Sequence, residues 1–285
     1  MRSEESGLSV QEAAALIRDA SALLVCAGAG MGVDSGLPDF RGTEGFWRAY
    51  PPYARLGLRF EELADPVHFA DDPALAWGFY GHRLALYRQT VPHAGFAVLR
   101  RWAEDRPTRV FTSNVDGQFQ VAGFAEQDVA EVHGSIHHLQ CLADCGQEIW
   151  PADEVPEIDE TTMRARAPLP SCPGCGALAR PNILMFGDWS WDPARSGPGL
   201  QKLHEWIRTH RRDLAVVEIG AGTAVPTVRR ESELATAASG RLVRINVREP
   251  EVRHGRGVGI AEPAAATLQA LDDRLRDGVP PPRDR

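Results

Sequence analysis

Four of the five cysteines fall in two close pairs, Cys141-x3-Cys145 and Cys172-x2-Cys175, with 26 residues between the pairs. Two such pairs brought together fill the four tetrahedral positions of a structural Zn²⁺. The second pair lies in Cys172-Pro173-Gly174-Cys175-Gly176, a tight knuckle whose glycines leave N–H groups free to face sulfur. The first pair is one residue wider than the usual spacing, and His138, three residues before Cys141, is an alternative ligand. Four thiolates leave no position for water, so this zinc would hold structure together and do no chemistry. Cys26 lies in an apolar run and reads as core.

Three other groups of residues could carry chemistry. Gly28-Ala29-Gly30 follows the apolar run Ala22 to Ala27. A strand feeding such a turn lets backbone N–H groups approach a pyrophosphate at a helix N-terminus. The spacing is not G-x-G-x-x-G, because Val33 holds the last position; but the loop that follows, Asp34 to Gly42, places the carboxylate of Asp39, the ring of Phe40 and the guanidinium of Arg41 beside the turn. His133 ends a strand-like segment just before Gly134-Ser135, and its neutral imidazole can take up a proton near neutral pH. His137 and His138 read as bystanders. Tyr80 and Arg83, spaced i, i+3, share one face of a predicted helix. A phenol and a guanidinium side by side can bind a carboxylate, and the plainer reading is an amphipathic helix with a half-buried Tyr and a solvated Arg.

The elements that must position these groups alternate. Ser9 and Glu12 form a capping box at the start of a helix through Asp19. Ala22 to Ala27 is a buried parallel strand. Asp72-Pro73 opens a helix to about Arg88, and another follows over residues 94–103. Further strands are expected at 109–112, 214–220 and 241–247. This alternation predicts an α/β fold with a doubly wound, Rossmann-like parallel sheet. Residues 42–92 hold helices without strands, and 136–184 hold the cysteines and an acidic, Pro-rich loop. Together they predict a smaller helical and zinc-binding module formed by two insertions, leaving 1–41, 93–135 and 185–285 as a Rossmann-like domain that carries the glycine turn. The tail GVPPPRDR is expected to be disordered.

Composition sets bounds on this picture. The chain has 285 residues, 43% hydrophobic and 25% charged, which is ordinary for a globular protein. A net charge of −8 argues against non-specific binding to nucleic acid or anionic membrane. Lys202 is the single lysine. The polar N-terminus is unlike a secretory signal, and the run SALLVCAGAG is too short to span a bilayer. A cytoplasmic location is therefore expected, with cysteines used as ligands or core.

The motifs resemble, in order, those of the sirtuin family. GAGMGVDSGLPDFRG is similar to its glycine turn and Ser-Gly-Ile-Pro-Asp-Phe-Arg loop. Thr112-Ser113-Asn114-Val115-Asp116-Gly117 resembles Thr-Gln-Asn-Ile-Asp-Gly, and Glu131-Val132-His133-Gly134-Ser135 resembles the segment with the catalytic His. Arg180-Pro181 and Phe186-Gly187-Asp188 resemble elements that line the acyl-lysine channel. Gly220-Ala221-Gly222-Thr223 takes the place of the Gly-Thr-Ser loop, and Ile245-Asn246 with Glu249 resembles the Asn-x-x-Glu segment near the adenosine. The resemblance runs from about residue 10 to 272. Tyr80 and Arg83 match the subclass that removes succinyl, malonyl or glutaryl groups. Gly32 replaces a Ser, Ser113 a Gln, and Ala221-Gly222 a Thr-Ser pair.

The resemblance implies an NAD-dependent protein lysine deacylase acting on acyl-lysine proteins or peptides. The acyl oxygen would attack the anomeric carbon, nicotinamide would leave, and His133 would deprotonate a ribose hydroxyl, yielding free lysine and O-acyl-ADP-ribose. Asn114 would orient the ribose and a water. Asp39 and Asp116 would position the nicotinamide carboxamide, and Arg41 would face the phosphates or steady the loop. Cofactor contacts would also come from Gly28, Ala29, Gly30, Phe40, Ser113, Gly220, Gly222, Asn246 and Glu249. Substrate contacts would come from Tyr80, Arg83, Phe186 and Gly187. The shorter Ser113 leaves a mono-ADP-ribosyltransferase or NAD hydrolase as an alternative, and a non-catalytic NAD or ADP-ribose sensor as another.

Overall fold

A computed structural model describes residues 2–39, 57–252 and 257–277. In chain order its strands are β1 (Ala22–Ala27), β2 (Thr108–Thr112), β3 (Val129–Glu131), β4 (Gly134–Cys141), β5 (Trp150–Pro151), β6 (Ile158–Asp159), β7 (Arg164–Ala165), β8 (Ala179–Ile183), β9 (Leu214–Ile219), β10 (Leu242–Ile245) and β11 (Gly257–Ile260). The longer helices are α1 (Arg2–Arg18), α2 (Pro73–Gln89), α3 (Ala94–Asp105), α4 (Ser196–His210), α5 (Thr227–Ala235) and α6 (Ala264–Asp277).

Period-2 alternation in β1 explains the layers. Leu23, Val25 and Ala27 face one core with Ile17 of α1, Phe96 and Leu99 of α3, and Leu268 and Leu271 of α6. Ala22, Leu24 and Cys26 face the other, with Leu203 and Ile207 of α4 and Val228 of α5. Both faces of the sheet are covered by helices, so every β1 residue is buried, as parallel sheets require. The sheet has six parallel strands in the order β11-β10-β9-β1-β2-β3. The chain builds outward from β1 through β2 to β3, then returns to the other side of β1 with β9, β10 and β11. The direction of winding therefore switches between β1 and β9, which is the predicted doubly wound α/β fold.

A second sheet, β5-β4-β8, is antiparallel. It shares an apolar core with α2, through Ile136, Leu139 and Ile183 against Trp77, Phe79, Tyr80 and Leu84. Asp72 caps α2, its carboxylate accepting from the Leu75 N–H at 3.2 Å, with Pro73 in the first turn.

Several boundaries differ from the sequence reading. Helix α1 begins at Arg2, so Ser9 and Glu12 sit inside it rather than at its start. β3 and β11 form although neither segment reads as a strand by itself. The acidic, Pro-rich stretch holds the hairpin β6-β7. The strand expected at 214–220 ends at Ile219, because Gly220 turns to φ 63°. The tail lies outside the described residues, as do Phe40 and Arg41.

Candidate active site and zinc site

The carboxyl ends of the parallel strands converge on one cavity of about 780 Å³. That is the usual position for ligands in an open α/β sheet, at the switch in winding, and within the usual size range of ligand pockets. Gly28 and Ala29 reach it from β1, and Ser113, Asn114 and Asp116 from β2. His133 follows β3, Gly222 follows β9, and Glu249 follows β10. Asp39, Tyr80, Arg83 and Phe186 complete the expected set that lines it. Gly30, Gly220, Asn246 and Gly187 are not in the wall.

The glycines outside the wall have a different task. A Cβ on Gly30 would lie 2.6 Å from the Gly220 Cα, and one on Gly220 would lie 2.4 Å from the Gly30 backbone. The turns after β1 and β9 are thus pressed backbone to backbone, with the Gly30 N–H donating to the Gly220 carbonyl at 3.0 Å. A seven-residue 3-10 helix, Ala29–Ser35, follows the turn.

Asn114 ties the first two strand ends together, its amide donating to the Gly28 carbonyl at 3.0 Å. Asp116 accepts from the Gln118 N–H at 3.0 Å, at the first residue of the short helix Gln118–Val121. Burial pushes its carboxyl up to about 6, against the Gln118 N–H and the charge of Arg83. Burial lowers the His133 pKa, opposed by a hydrogen bond between its ring and the Ser113 backbone. The imidazole therefore stays neutral to lower pH than a free histidine. If neutral His133 is required, activity should fall as pH drops, with a midpoint below 6.5. An acid limb centred above pH 7 in a kcat/KM profile would contradict this.

Tyr80 and Arg83 are both buried, at 1% and 6% exposure, so Arg83 is not the solvated arginine of the plainer reading. Its Nε and Nη2 donate to the Tyr87 hydroxyl at 3.0 and 2.8 Å. Its guanidinium also lies 5.2 to 5.9 Å from the ring centroids of Phe60, Phe79, Tyr80 and Tyr87. The Tyr80 hydroxyl has no hydrogen-bond partner among the described residues.

Sequence reasoning missed Arg229, Arg248 and Tyr87. Tyr87 stands four residues after Arg83, so helical spacing could have found it. Arg248 pairs with Asp39 across the cavity. Arg229, 8% exposed, donates to the Ala221 carbonyl at 3.1 Å and to the Glu249 carbonyl at 2.5 Å. The Asn246 amide donates to the same Ala221 carbonyl at 2.7 Å, and Thr223 donates through N and Oγ1 to the Glu249 carboxylate. Asn246 and Arg229 thus act through the loops after β9 and β10. Arg229→Met should raise the apparent KM for NAD by about tenfold or more, as one to three kcal/mol of buried hydrogen bonding is lost, with kcat changed less. Equal loss in both constants would argue against a positioning role.

The four cysteine sulfurs lie within 4.8 Å of one another. The Cys141–Cys175 and Cys145–Cys172 sulfur pairs stand 3.6 Å apart. A tetrahedron with Zn–S bonds of ~2.3 Å has edges of about 3.8 Å, so the cluster fits Zn²⁺. The extra residue of the first pair is absorbed by Asp144 at φ 47°, and Gly146 and Gly176 take φ 85° and 75°. His138 is not in the cluster.

A match to the Sir2 family covers residues 28–220, from the glycine turn through the cysteine pairs to the end of β9. This chain belongs to the Sir2 family. Among curated relatives of this Sir2-family protein, the NAD-dependent protein deacylase 1 of Pseudomonas aeruginosa is 31% identical over 265 residues, 92% of this chain and 98% of its own length. The NAD-dependent protein deacylase of Aquifex aeolicus is 28% identical over 259 residues, 90% of this chain and 95% of its own. A Sir2 homologue solved as an ADP-ribose complex superposes with a TM-score of 0.72 at 25% identity, covering 93% of this chain and 95% of that one. No described helix of this Sir2-family protein is long and apolar enough to cross a membrane.

Proposed function

We infer that this chain is an NAD-dependent protein lysine deacylase whose products are nicotinamide, free lysine and O-acyl-ADP-ribose. The observation that carries this reading is the placement of His133, kept neutral by burial, beside Asn114 in a cavity that runs from the switch in winding to the Tyr80–Arg83 pair. NAD supplies the nicotinamide–ribose bond whose cleavage drives the reaction. The backbone of Gly28 and Ala29 and the side of Gly222 offer a close approach for the phosphates, while Glu249 and Asn246 organise the adenosine end. Asn114, fixed by the Gly28 carbonyl, orients the ribose, and Asp116 positions the carboxamide. His133 accepts a hydroxyl proton at its free ring nitrogen. Incubation with an acyl-lysine peptide tests this: the peptide should lose its acyl mass only when NAD is present. Nicotinamide release that is indifferent to the peptide would instead indicate an NAD hydrolase.

The acyl group, on this reading, ends in a carboxylate. The support is chemical: a buried guanidinium and a buried phenol with a spare donor face one end of the cavity. Arg83→Met should lower turnover of a succinyl-lysine peptide by about one to two orders of magnitude, matching ~1.5–3 kcal/mol for a charged hydrogen bond. Acetyl-lysine turnover should hold or rise. Equal loss on both peptides, or a wild-type preference for acetyl-lysine, would refute the carboxylate pocket.

A further inference from the structure

Trp189 is fully exposed, the most exposed of the large apolar side chains in the described structure. An indole in water leaves one of the largest apolar surfaces in the chain uncovered. It is not a loose tip. Asp188, just before it, is buried in an ion pair with Arg180, itself 0% exposed. Burial alone would raise the Asp188 carboxyl, but the hydrogen bonds and charge of Arg180 hold it below the usual range. Its oxygens also accept from the Met185 and Ser190 N–H groups, at 3.3 and 3.1 Å. On the far side, Gln140 donates to the Ser190 carbonyl at 2.8 Å. The turn carrying Trp189 is therefore anchored before and after the indole.

This turn is continuous with the cavity. Phe186, three residues earlier, lines it, is 38% exposed, and packs edge-on against Phe60 at 5.9 Å. The Phe186 N–H donates to the Ala64 carbonyl at 3.0 Å, which joins the turn to the segment carrying Glu61 and Asp65. Glu61 also lines the cavity, and Asp65 Oδ2 stands 4.0 Å from the Cβ position of Gly187. Neither carboxylate makes an ion pair among the described residues. An aromatic face with carboxylates beside it is complementary to a guanidinium, which stacks on indole and pairs with carboxylate.

We propose that the Phe186–Trp189 turn, with Glu61 and Asp65, selects acyl-lysines that have an arginine next to them in the substrate. The inference rests on the deacylase reading and names the substrate class of that same cavity. Arginine would lay its guanidinium on the Trp189 ring while the acyl-lysine enters past Phe186.

Binding and turnover together test it. Fluorescently labelled acyl-lysine peptides with Arg, Ala or Glu flanking the modified lysine are titrated by anisotropy, and the same peptides are assayed for NAD-dependent deacylation. The Arg peptide should bind about tenfold tighter than the Glu peptide, the sum of an exposed cation–π contact and a surface ion pair. Trp189→Ala should remove most of that difference, and Trp189→Phe should keep part of it. The double variant Glu61→Gln, Asp65→Asn should remove its salt dependence. Equal binding of the three peptides, or a preference that survives Trp189→Ala, overturns the proposal. If the peptides are deacylated without preference, the proposal falls and the deacylase reading stands. If the Arg preference is present without deacylation, the role of the Phe186–Trp189 turn stands and the deacylase reading falls. If no peptide binds, both fall.

Discussion

His133→Ala is expected to lower NAD-dependent deacylation by about two to four orders of magnitude, the usual contribution of a positioned general base. The imidazole sits at the carboxyl end of β3 and lines the cavity beside the Ser113 backbone. Burial lowers its pKa and so favours the neutral imidazole that a base requires. Among the described residues no other histidine lines the cavity: His137 is held to the Asp116 carbonyl at 2.9 Å, and His138 is on the strand leading to the cysteines. Nicotinamide exchange should suffer less than deacylation in the same variant, because glycosidic cleavage precedes the proton transfer. Single-turnover and exchange assays on one preparation separate the two. A variant that deacylates at the wild-type rate would remove His133 from the role of base.

The second large effect is on zinc. Cys172→Ala should release the metal and destabilise the β4–β5–β8 sheet. Cys172 is 2% exposed, its N–H donates to the Ala177 carbonyl at 2.7 Å, and its carbonyl accepts from Gly176 at 2.8 Å, so the knuckle is built around this residue. Structural zinc binding is coupled to folding by about 10 kcal/mol or more in isolated modules. Here the apolar core under the sheet, from Trp77 and Phe79 to Ile136 and Ile183, should preserve part of the structure. The expected result is one zinc per wild-type chain, none in the variant, and a lower Tm that added zinc does not restore. Metal analysis that finds no zinc in protein purified without chelator would count against the site.

Which features were legible in the sequence follows from how local their causes are. β1 was legible because its apolar run ends in glycine, and α2 because Asp72 and Pro73 mark its start by side-chain chemistry. The cysteine cluster was legible because ligand type and spacing are themselves the signal. β3 and β11 were not. Val129–Glu131 spans three residues, and Gly257–Ile260 carries two glycines, so both become strands only by pairing with β2 and β10. The start of α1 was misplaced because Ser9 and Glu12 have capping chemistry wherever they occur.

The site divides in the same way. His133, Asn114 and Asp116, singled out through local motifs, line the cavity. The burial of Arg83 was not legible, since four rings from two segments enclose it. Nor was Arg229, whose task exists only once the loops after β9 and β10 lie side by side. Gly30 and Gly220, 190 residues apart, read as separate turns in the sequence and meet in the structure.

Mass spectrometry of all products from one reaction containing the protein, NAD and an acyl-lysine peptide decides whether the chain is an NAD-dependent deacylase. One nicotinamide is expected for each lysine freed, with the acyl group recovered on ADP-ribose. Free carboxylic acid with NAD intact, or ADP-ribose formed while the peptide keeps its acyl group, would contradict it.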